Sequence, residues 1–331
     1  MMDYYYEASE PSPDPVETVR GRPGMYIGST DGWGRSSLLL EIASNVVDQF
    51  LRGHATELSV TLNDGSFVVI DDGAGLDRAK ARKHLEAPHF TATADGHAPH
   101  IHLGDSGVGI FPVNALCEEF TMESFDQEGG WRLRYERGRL VEEVAVERER
   151  GTRVEAVVDS EIFDPVDIPL WRVRHVLFDA AHLFPGLRLR LNEETFHAPG
   201  GLADLARFEA ARVERRGWRE GSDRFFGHTH EGDELSFTTA CYGAVSKVSE
   251  MKISSWVNGR RSPGHGSHVD GALDALKGLN WFPAALMLSV VMKEPEYAGP
   301  TKDKLSVEKA RPLVRAPFLA ACRQATPPAD A

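Results

Sequence analysis

Three polar residues near the start of the chain stand at helical spacing and could do chemistry together. Glu41, Asn45 and Asp48 are four and three positions apart, so a helix places them on one face. The amide oxygen of Asn45 is a hard ligand of the kind that Mg²⁺ takes, and Glu41, one turn away, could orient a water and remove its proton. A solvated helix face is the ordinary explanation of such a stripe. Because Asn is a poor helix former, its presence inside this helix favours a binding site over a solvated face.

A second candidate is Asp71, which follows the apolar stretch Ser-Phe-Val-Val-Ile. A carboxylate at a strand end can accept a hydrogen bond from the exocyclic amine of adenine. Gly73 and Gly75 beside it would let a flat ring approach the backbone. An ordinary Asp-Gly turn is the commoner explanation of this dipeptide, and the local pattern alone favours the turn.

A third feature is the glycine-rich stretch Gly-Asp-Ser-Gly-Val-Gly at residues 104–109. Gly-Asp-Ser-Gly also surrounds the nucleophile of trypsin-like proteases, but their histidine precedes the serine, whereas His182 follows Ser106, and the expected disulfides are missing. We therefore interpret the glycines as a loop before a helix, whose free amides and dipole favour phosphate oxygens. The spacing is neither that of a Rossmann nor of a Walker loop, so it is weak evidence alone.

The periodicity of apolar residues predicts the helices and strands that carry these groups. Residues 36–53 have apolar side chains at three-and-four spacing and predict an amphipathic helix, capped by Ser36 or Ser37 and ended by Gly53. Residues 57–75 alternate around Asp64-Gly65, which predicts a hairpin whose second strand runs into the loop after Asp71. Further along, residues 108–117 predict the start of another helix, and residues 140–159 return to strand alternation.

A second α+β pattern begins near residue 205. It consists of predicted strands at 234–243, 252–260 and 285–294, a helix at 268–279 and a loop at 298–305. Pro312 and Pro317 are expected to break the remaining segment after residue 305. We expect an N-terminal arm at 1–15, a first domain at 16–203 and a second at 204–331.

Composition limits the classes of function. The 331 residues are 41% hydrophobic and 26% charged, which is ordinary for a globular protein, and 50 acidic against 37 basic side chains give a formal charge of -13. That charge disfavours direct binding to DNA. The three cysteines, Cys117, Cys241 and Cys322, have no zinc-ligand spacing. The longest apolar run, 281–292, is too short for a membrane span, so we expect a cytoplasmic protein.

Taken in chain order, several motifs resemble the N-terminal ATPase region of the gyrase B protein and its topoisomerase IV relative, in the GHKL superfamily. They are RGRPGMYIGST, E-x-x-x-N in the first helix, DDGAG, GDSGVG-x₄-NAL, GT at 151–152, GSHVDG at 266–271 and TKDKL at 301–305. The resemblance spans almost the whole chain. It implies an α+β fold in which a GHKL (Bergerat) α/β sandwich is followed by a transducer-like domain of the ribosomal S5 domain 2 type. It also implies ATP and Mg²⁺ as cofactors.

The resemblance implies a role for each matching residue. On the first helix, Glu41 would be the general base, Asn45 would bind Mg²⁺ and Asp48 would make a further contact with the nucleotide. At the base, Asp71 would accept a hydrogen bond from the adenine amine, and Gly75 would line the base pocket. The ATP lid and phosphate cradle would be formed by Gly104, Gly107, Val108 and Gly109.

Arg132 would flank the outer rim of the pocket, and Thr152 would lie by the adenine edge. Lys302 would reach the γ-phosphate. Tyr5, in an arm swapped across a dimer, would approach the partner's nucleotide; a disordered tail is the alternative for this segment.

The chain also departs from the family pattern. Gln49 and Ala74 replace a glutamate and an arginine that brace the edge of the adenine pocket, so we expect a wider or weaker pocket without an orphaned charge. The lid segment lacks the family's G-G-K-F, and Pro300 replaces a glutamine. Three histidines, His97, His100 and His102, lie in the lid segment; without a nearby cysteine or carboxylate partner we expect them in water rather than on a metal.

The function expected from these observations is that of a stand-alone gyrase-B-like module that binds and slowly hydrolyses Mg-ATP. It would dimerise in the ATP state and could serve a separately encoded protein partner. Because the family's cleavage domain is not expected in this chain, it should not cut DNA alone. The alternative is a nucleotide-dependent scaffold or regulator with negligible turnover, for which the altered pocket edge argues. Glu41 favours the enzyme, because a scaffold has no need of a base.

Overall fold

The computed structural model describes residues 14–88, 101–104, 107–214, 224–299 and 301–325. Strands in these residues form two sheets, each with its own cluster of buried apolar side chains. The predicted site residue Tyr5 lies outside the described residues, as do Ser106, His97 and His100.

The first domain is built on an eight-stranded sheet of order β5-β4-β3-β6-β2-β1-β7-β8. Its strands are β1 (Glu57–Asn63), β2 (Ser66–Asp71), β3 (Cys117–Asp126), β4 (Gly129–Glu136), β5 (Arg139–Val146), β6 (Arg153–Val158), β7 (Arg188–Leu191) and β8 (Glu194–Phe196). Its helices are α1 (Pro15–Gly21), α2 (Gly24–Ile27), α3 (Gly32–Leu51), α4 (Arg78–Glu86), α5 (Ile110–Ala115) and α6 (Leu170–Leu183). Along β4 buried and partly exposed residues alternate, as expected for a sheet with one covered face.

The long helix α3 confirms the helix predicted at 36–53 but starts earlier. Asp31 is the N-cap, and its carboxylate accepts hydrogen bonds from the amides of Trp33 and Gly34. The predicted caps Ser36 and Ser37 are instead buried inside the helix, where their hydroxyls donate to the carbonyl of Trp33. Their small polar side chains suit the interior of the helix because the turn below accepts their hydrogen bonds.

The hairpin predicted around Asp64-Gly65 is confirmed. Strands β1 and β2 pair antiparallel with Asn63 opposite Ser66, and Gly65 takes the left-handed conformation that the turn requires. In the sheet β2 also pairs with β6, and β1 pairs in parallel with β7. The end of β2, where Asp71 stands, is therefore in the middle of the sheet.

The second domain has a five-stranded sheet of order β12-β11-β13-β10-β9. Its strands are β9 (Phe225–His230), β10 (Leu235–Tyr242), β11 (Lys252–Val257), β12 (Arg260–Arg261) and β13 (Ala285–Met292), with a short 3₁₀ turn at Val248–Glu250. The helices are α7 (Leu202–Glu214), α8 (Ser267–Gly278) and α9 (Ala310–Ala325). Each of the strands and the helix predicted between residues 234 and 294 is confirmed by β10, β11, β13 and α8.

Helix α9 corrects the expectation that Pro312 and Pro317 break the chain's last segment. The helix runs through both prolines. Pro312 stands in the first turn, where the missing amide hydrogen has no helical partner to lose. The apolar side chains Val314 and Phe318 are fully buried against the second sheet's cluster, and this packing outweighs the cost of Pro317.

Helix α7 packs between the two domains. Leu205 and Ala206 contact a cluster that contains Trp256 and Met287 of the second sheet and the partly buried Phe178 of α6. The domain boundary predicted at residues 203–204 falls in the first turn of this helix. Among the described residues, no helix combines the length and the apolar character that a bilayer span requires.

Candidate active site

A cleft of about 710 Å³ opens between α3, the sheet and the segment that leads into α5. This volume lies in the range of small-molecule sites, about 300–1,000 Å³. Helix α3 contributes Glu41, Asn45, Asp48, Gln49 and Arg52; the strands and their ends contribute Val69, Asp71, Gly75, Met122, Thr152 and Val154; and the opposite wall is made by Ile101, His102, Gly107, Val108, Gly109 and Phe111. Most of the residues singled out from the sequence therefore line one cavity.

The polar stripe of α3 faces this cleft. Glu41 is buried at 6% exposure, whereas Asn45 is exposed and Asp48 is half-buried. Because the three residues follow the helical period, they form one line along the wall of the cleft. An exposed amide oxygen at Asn45 is open to a ligand in the cleft.

The carboxylate of Glu41 binds the glycine-rich loop. The amide of Gly109 donates to its Oε1 at 2.8 Å and the amide of Gly107 to its Oε2 at 3.1 Å. Both glycines have positive φ, 64° for Gly107 and 79° for Gly109, which turns their amides towards the helix. Gly109 is also the N-cap of α5, so one of the donors lies at the positive end of that short helix. The Glu41 carboxylate thus accepts hydrogen bonds from the same amides that the sequence predicts will bind phosphate oxygens.

Asp71 is held at the end of β2 by two amides. Its Oδ1 accepts hydrogen bonds from Gly73 at 2.8 Å and from Thr152 at 3.2 Å. Burial raises the pKa of this carboxyl, an effect that the two amides and the distant Arg148 only partly offset. An acceptor fixed in this way can recognise an amine without first being reoriented.

Glycines allow the chain to approach closely around Asp71. A Cβ atom on Gly151 would lie 1.9 Å from the carbonyl oxygen of Asp71, and one on Gly75 would lie 2.6 Å from the ring of Phe125. Both positions have positive φ, 68° and 75°. The hydroxyls of Ser124 and Thr152 are 3.0 Å apart and tie β3 to the same corner. The floor of the cleft is therefore a packed, rigid surface.

Gln49 carries an unpaired polar atom in this cleft. Its side-chain oxygen is buried and has no hydrogen-bond partner among the described residues. A buried acceptor without a partner costs about 1–3 kcal/mol. The residue stands next to the corner of Asp71, since a Cβ on Gly73 would lie 2.8 Å from Asp71 Oδ1 and 3.7 Å from Gln49 Cβ. A ligand that donates a hydrogen bond would satisfy this oxygen.

Three predicted site residues do not line the cleft. Gly104 is buried behind α3, where a Cβ would lie 3.1 Å from Leu40. Lys302 lies in the loop between β13 and α9 and has a positive φ of 56°. Arg132 needs a correction: on β4 it pairs with Glu123 of β3, with Nη2–Oε1 at 2.7 Å, in a charged surface depression. Since Met122 faces the cleft, its neighbour Glu123 and the paired Arg132 face the other side of the sheet.

Ser44 shapes the cleft wall, a role that the sequence pattern does not predict. Its hydroxyl donates to the Leu40 carbonyl at 2.7 Å and accepts the amide of Leu103 at 2.9 Å. This anchors the segment Ile101–Gly104 onto α3 just before the glycine loop. The signal was a small polar residue on an apolar helix face, beside the more obvious stripe. His102, which we expect in water rather than on a metal, also lines the cleft.

Comparison with known proteins places this geometry in a family context. No protein-family model matches the chain. The topoisomerase 4 B subunit of Bartonella bacilliformis is 27% identical over 349 residues, and the DNA gyrase B subunit of Thermotoga maritima is 30% identical over 343 residues. Each alignment covers 90% of this chain, with 49% and 53% of the relative. The chain is a homologue of these topoisomerase B subunits.

Solved structures show that this chain has the fold of gyrase B subunits. The gyrase B subunit of Myxococcus xanthus superimposes with a TM-score of 0.75 at 22% identity, covering 94% of this chain and 96% of that one. The 43K ATPase domain of Thermus thermophilus gyrase B, solved with an aminocoumarin, gives a TM-score of 0.70 at 24% identity over 94% and 91%. The predicted fold, a GHKL α/β sandwich followed by a transducer-like α+β domain, is confirmed.

The gyrase-B-like chain spans about half the length of the curated relatives that it matches. The protease interpretation of Gly-Asp-Ser-Gly is wrong, because the fold is that of the gyrase B subunits. His182 lies on α6, where its ring Nδ1 is 2.8 Å from the Phe178 carbonyl. Among the described residues no group of three or more His, Cys, Asp or Glu side chains forms a metal site.

Proposed function

We propose that the chain binds Mg-ATP in the cleft beside α3 and hydrolyses it. The observation that carries the proposal is the convergence of three groups in one cavity: the Glu41–Asn45 pair, the anchored carboxylate of Asp71, and the amides of Gly107 and Gly109. These match, in order, a water-activating base with a metal ligand, an acceptor for an amine, and donors for phosphate oxygens. The homology to topoisomerase B subunits supports the same conclusion.

The residues present fit the proposed ligand. The unpaired oxygen of Gln49 and the fixed acceptor Asp71 suit the amine and ring of adenine, and the glycines leave room for a triphosphate close to the backbone. Asn45 would hold Mg²⁺, together with phosphate oxygens and water. The metal would neutralise phosphate charge. Asp48 and Val108 would complete the contacts along the cleft, and Gly75 and Thr152 would flank the base.

The catalytic role of Glu41 requires a rearrangement. In the structure its carboxylate accepts two amide hydrogen bonds. Phosphate oxygens are stronger competitors for amides at a helix N-terminus than a single carboxylate, because they carry more charge. We propose that binding of the triphosphate takes over the amides of Gly107 and Gly109, which turns Glu41 towards the attacking water. The base would thus become competent when substrate is in place.

The remaining proposals concern coupling and assembly. Lys302 would contact the terminal phosphate from the second domain, so that the angle between the domains depends on whether that phosphate is attached. Tyr5 would reach the nucleotide of a second copy in an ATP-dependent homodimer. Because the relatives are named as subunits, we further propose a separately encoded protein partner. Direct DNA binding by this chain alone is disfavoured by its formal charge of -13.

Phosphate release and calorimetry test the proposal. Wild type should bind a non-hydrolysable ATP analogue and release phosphate from ATP. Glu41→Ala should lower turnover by about 100-fold or more while binding the analogue about tenfold more tightly, because a competing charged hydrogen-bond acceptor is gone. Arg132→Ala is the control, since that side chain faces away from the cleft, and should resemble wild type in both measurements. No heat with adenine nucleotides from wild type would contradict the proposal.

The second candidate is a nucleotide-dependent scaffold with negligible turnover. The hydrogen bonds between Glu41 and the glycine loop favour it, because a carboxylate engaged with two amides is not in position to take a proton from water. Size-exclusion chromatography with the analogue separates the two. Dimerisation by the analogue together with equal background phosphate release from wild type and Glu41→Ala supports the scaffold, whereas release that vanishes in Glu41→Ala supports the enzyme.

A further inference from the structure

Strands β11 and β12 form a hairpin with a tight turn, and hydrogen bonds of the Asn258 side chain hold this turn in place. Trp256 pairs with Arg261 and Val257 with Arg260, and the connecting residues Asn258 and Gly259 have φ of 49° and 84°. Two positive φ values in succession are typical of the tightest hairpin turns, for which Asn-Gly is the favoured sequence. The Asn258 side chain is buried and pairs with the backbone of Met292 through both its oxygen, at 2.9 Å, and its nitrogen, at 2.8 Å.

This turn touches the wall of the cleft. The amide of His102 donates to the carbonyl of Asn258 at 2.9 Å. A Cβ atom on Gly259 would lie 2.6 Å from Ile101. Ile101 and His102 both line the cleft, so the hairpin of the second domain supports the segment that enters the glycine loop.

The two arginines of β12 make contacts in different directions. Arg261 reaches the first domain, where its Nε and Nη2 donate to Asp179 of α6 at 2.8 and 3.0 Å. Arg260 reaches the loop that carries Lys302: its Nη2 donates to the carbonyl of Thr301 at 2.5 Å. The hairpin therefore contacts the cleft wall, the first domain and the Lys302 loop.

The conformation of Lys302 needs this support. A lysine with a φ of 56° is in the left-handed region, which is strained for a residue with a Cβ and persists only where its surroundings impose it. On its C-terminal side the carbonyl of Asp303 accepts from the hydroxyl of Ser262 at 2.8 Å and from the amide of Gly264 at 2.9 Å. On its N-terminal side the amide of Lys302 donates to the carbonyl of Gly299 at 3.1 Å. From outside this turn, the guanidinium of Arg260 holds the carbonyl of Thr301.

We propose that Arg260 is a positioning residue for Lys302. By holding the carbonyl of Thr301, its guanidinium fixes the backbone that aims the Lys302 ammonium at the terminal phosphate of the nucleotide, and the hairpin links this aim to the cleft wall at Ile101 and His102. The inference rests on the proposed function, since it needs a triphosphate in the cleft. It concerns the preference for a nucleoside triphosphate over a diphosphate, and it does not concern recognition of the base.

Nucleotide preference measured by calorimetry tests the inference. Wild type should bind the non-hydrolysable ATP analogue more tightly than ADP, because only the former offers a terminal phosphate to Lys302. Arg260→Ala and Lys302→Ala should each reduce this ratio about tenfold and leave the affinity for ADP unchanged. The double variant should lose no more than either single one, since both act on the same contact.

Further variants separate positioning from charge and from folding. Arg260→Lys keeps a donor and the charge and should retain most of the ratio, whereas Arg260→Gln keeps a shorter donor without charge and should lose it. Lys309→Ala is the control: it removes an exposed cation of the same domain, paired with Glu234 at 2.6 Å, and should leave the ratio unchanged. Thermal unfolding of each variant shows that the second domain is still folded.

The outcomes separate the inference from the function it rests on. A wild-type ratio in Arg260→Ala, with the ratio lost in Lys302→Ala, would overturn the role of Arg260 alone. An equal loss of ADP and analogue affinity in Arg260→Ala would also overturn it, because that pattern reports general damage to the cleft. Failure of wild type to bind either nucleotide would refute the proposed function and the inference with it.

Discussion

The pKa values of the neighbouring carboxyls Asp71 and Asp72 are shifted in opposite directions. Asp71 is buried among the strand ends, and burial raises the pKa of its carboxyl. For Asp72 burial acts in the same direction, but hydrogen bonds from the hydroxyl and amide of Thr56 and the amide of Glu57, with the charge of Arg150, outweigh it and lower the pKa. One carboxylate thus fastens β1 to the loop, while the other retains acceptor capacity in the cleft.

His268 is a buried titratable group outside the cleft. It follows the first residue of α8, is fully buried, and neither ring nitrogen has a hydrogen-bond partner among the described residues. Burial, with a smaller contribution from His265, lowers its pKa from 6.5 to about 3. Its charged form is therefore incompatible with the packed second domain.

The stability of the protein should consequently fall below neutral pH. The unfolded chain takes up a proton on this histidine near pH 6.5 while the folded chain does not, so its contribution is present above pH 6.5 and is lost as the pH falls towards about 3. The loss approaches about 1.4 kcal/mol per pH unit. Urea unfolding should show a total loss of about 1.4 kcal/mol between pH 7.5 and 5.5, reduced in His268→Leu. The exposed His197→Leu should keep it, and equal slopes in all three proteins would contradict the assignment.

At the scale of elements, the floor of the cleft is made by the ends of β2 and β6. The amide of Asp71 donates to the Thr152 carbonyl at 3.0 Å and the amide of Gly151 to the Gly73 carbonyl at 3.0 Å. These bonds continue the β2–β6 pairing beyond the regular strands and place Asp71 beside Thr152. Contact this close leaves no room for a side chain at residue 151.

Gly151→Ala should therefore damage both folding and the site. Its Cβ would lie 1.9 Å from the carbonyl oxygen of Asp71, and φ is 68°, so the loop must move. We expect a loss of about 2 kcal/mol or more in the free energy of unfolding, and weaker binding of the ATP analogue. Gly278→Ala is the matched control at the end of α8, where nothing lies within 4 Å of the added atom. It should leave both measurements within about 0.5 kcal/mol of wild type.

At the scale of the whole molecule, a buried acidic residue joins the two domains. Asp179 of α6, 5% exposed, accepts hydrogen bonds from Trp256 Nε1 at 2.9 Å and from Arg261 at 2.8 and 3.0 Å. Trp256 is itself fully buried in the cluster that includes α7. The contact combines a partly buried ion pair, in which the arginine side chain is 35% exposed, with a buried aromatic donor. Loss of Asp179 therefore leaves the indole N–H of Trp256 without this acceptor.

Asp179→Ala should weaken the coupling between the domains. We expect a cost of about 2 kcal/mol, and unfolding in two steps where wild type unfolds in one, because the second sheet loses this polar attachment to α6. Circular dichroism and tryptophan fluorescence followed through the same denaturant series would report the separation. Glu194→Ala removes an exposed partner of Arg174 from the first domain and serves as control. Coincident, unshifted transitions in Asp179→Ala would rule out the coupling role.

Local patterns determined the elements that carry the site. The apolar period of residues 36–53 indicated α3 and the polar stripe on it, and Asp64-Gly65 indicated the β1–β2 hairpin that ends at Asp71. Such features depend on neighbours a few positions apart, so they can be read from the chain alone. The ordered series of short motifs also indicated the fold of the topoisomerase relatives. Local rules failed for α9, where burial of Val314 and Phe318 outweighed Pro317, and at the start of α3, which Asp31 caps.

Contacts between residues far apart in the chain could not be predicted from the sequence. Glu41 contacts Gly107 and Gly109 across 66 and 68 positions, and Asp71 contacts Thr152 across 81. Whether Arg132 faced the cleft depended on the register of β4 against β3, because successive strand residues point to opposite sides. Contacts between residues far apart in the chain arise from the packing of whole elements, and a change of one position in strand register reverses them. The sequence therefore determined which groups are available for chemistry, and the packing determined which of them act together.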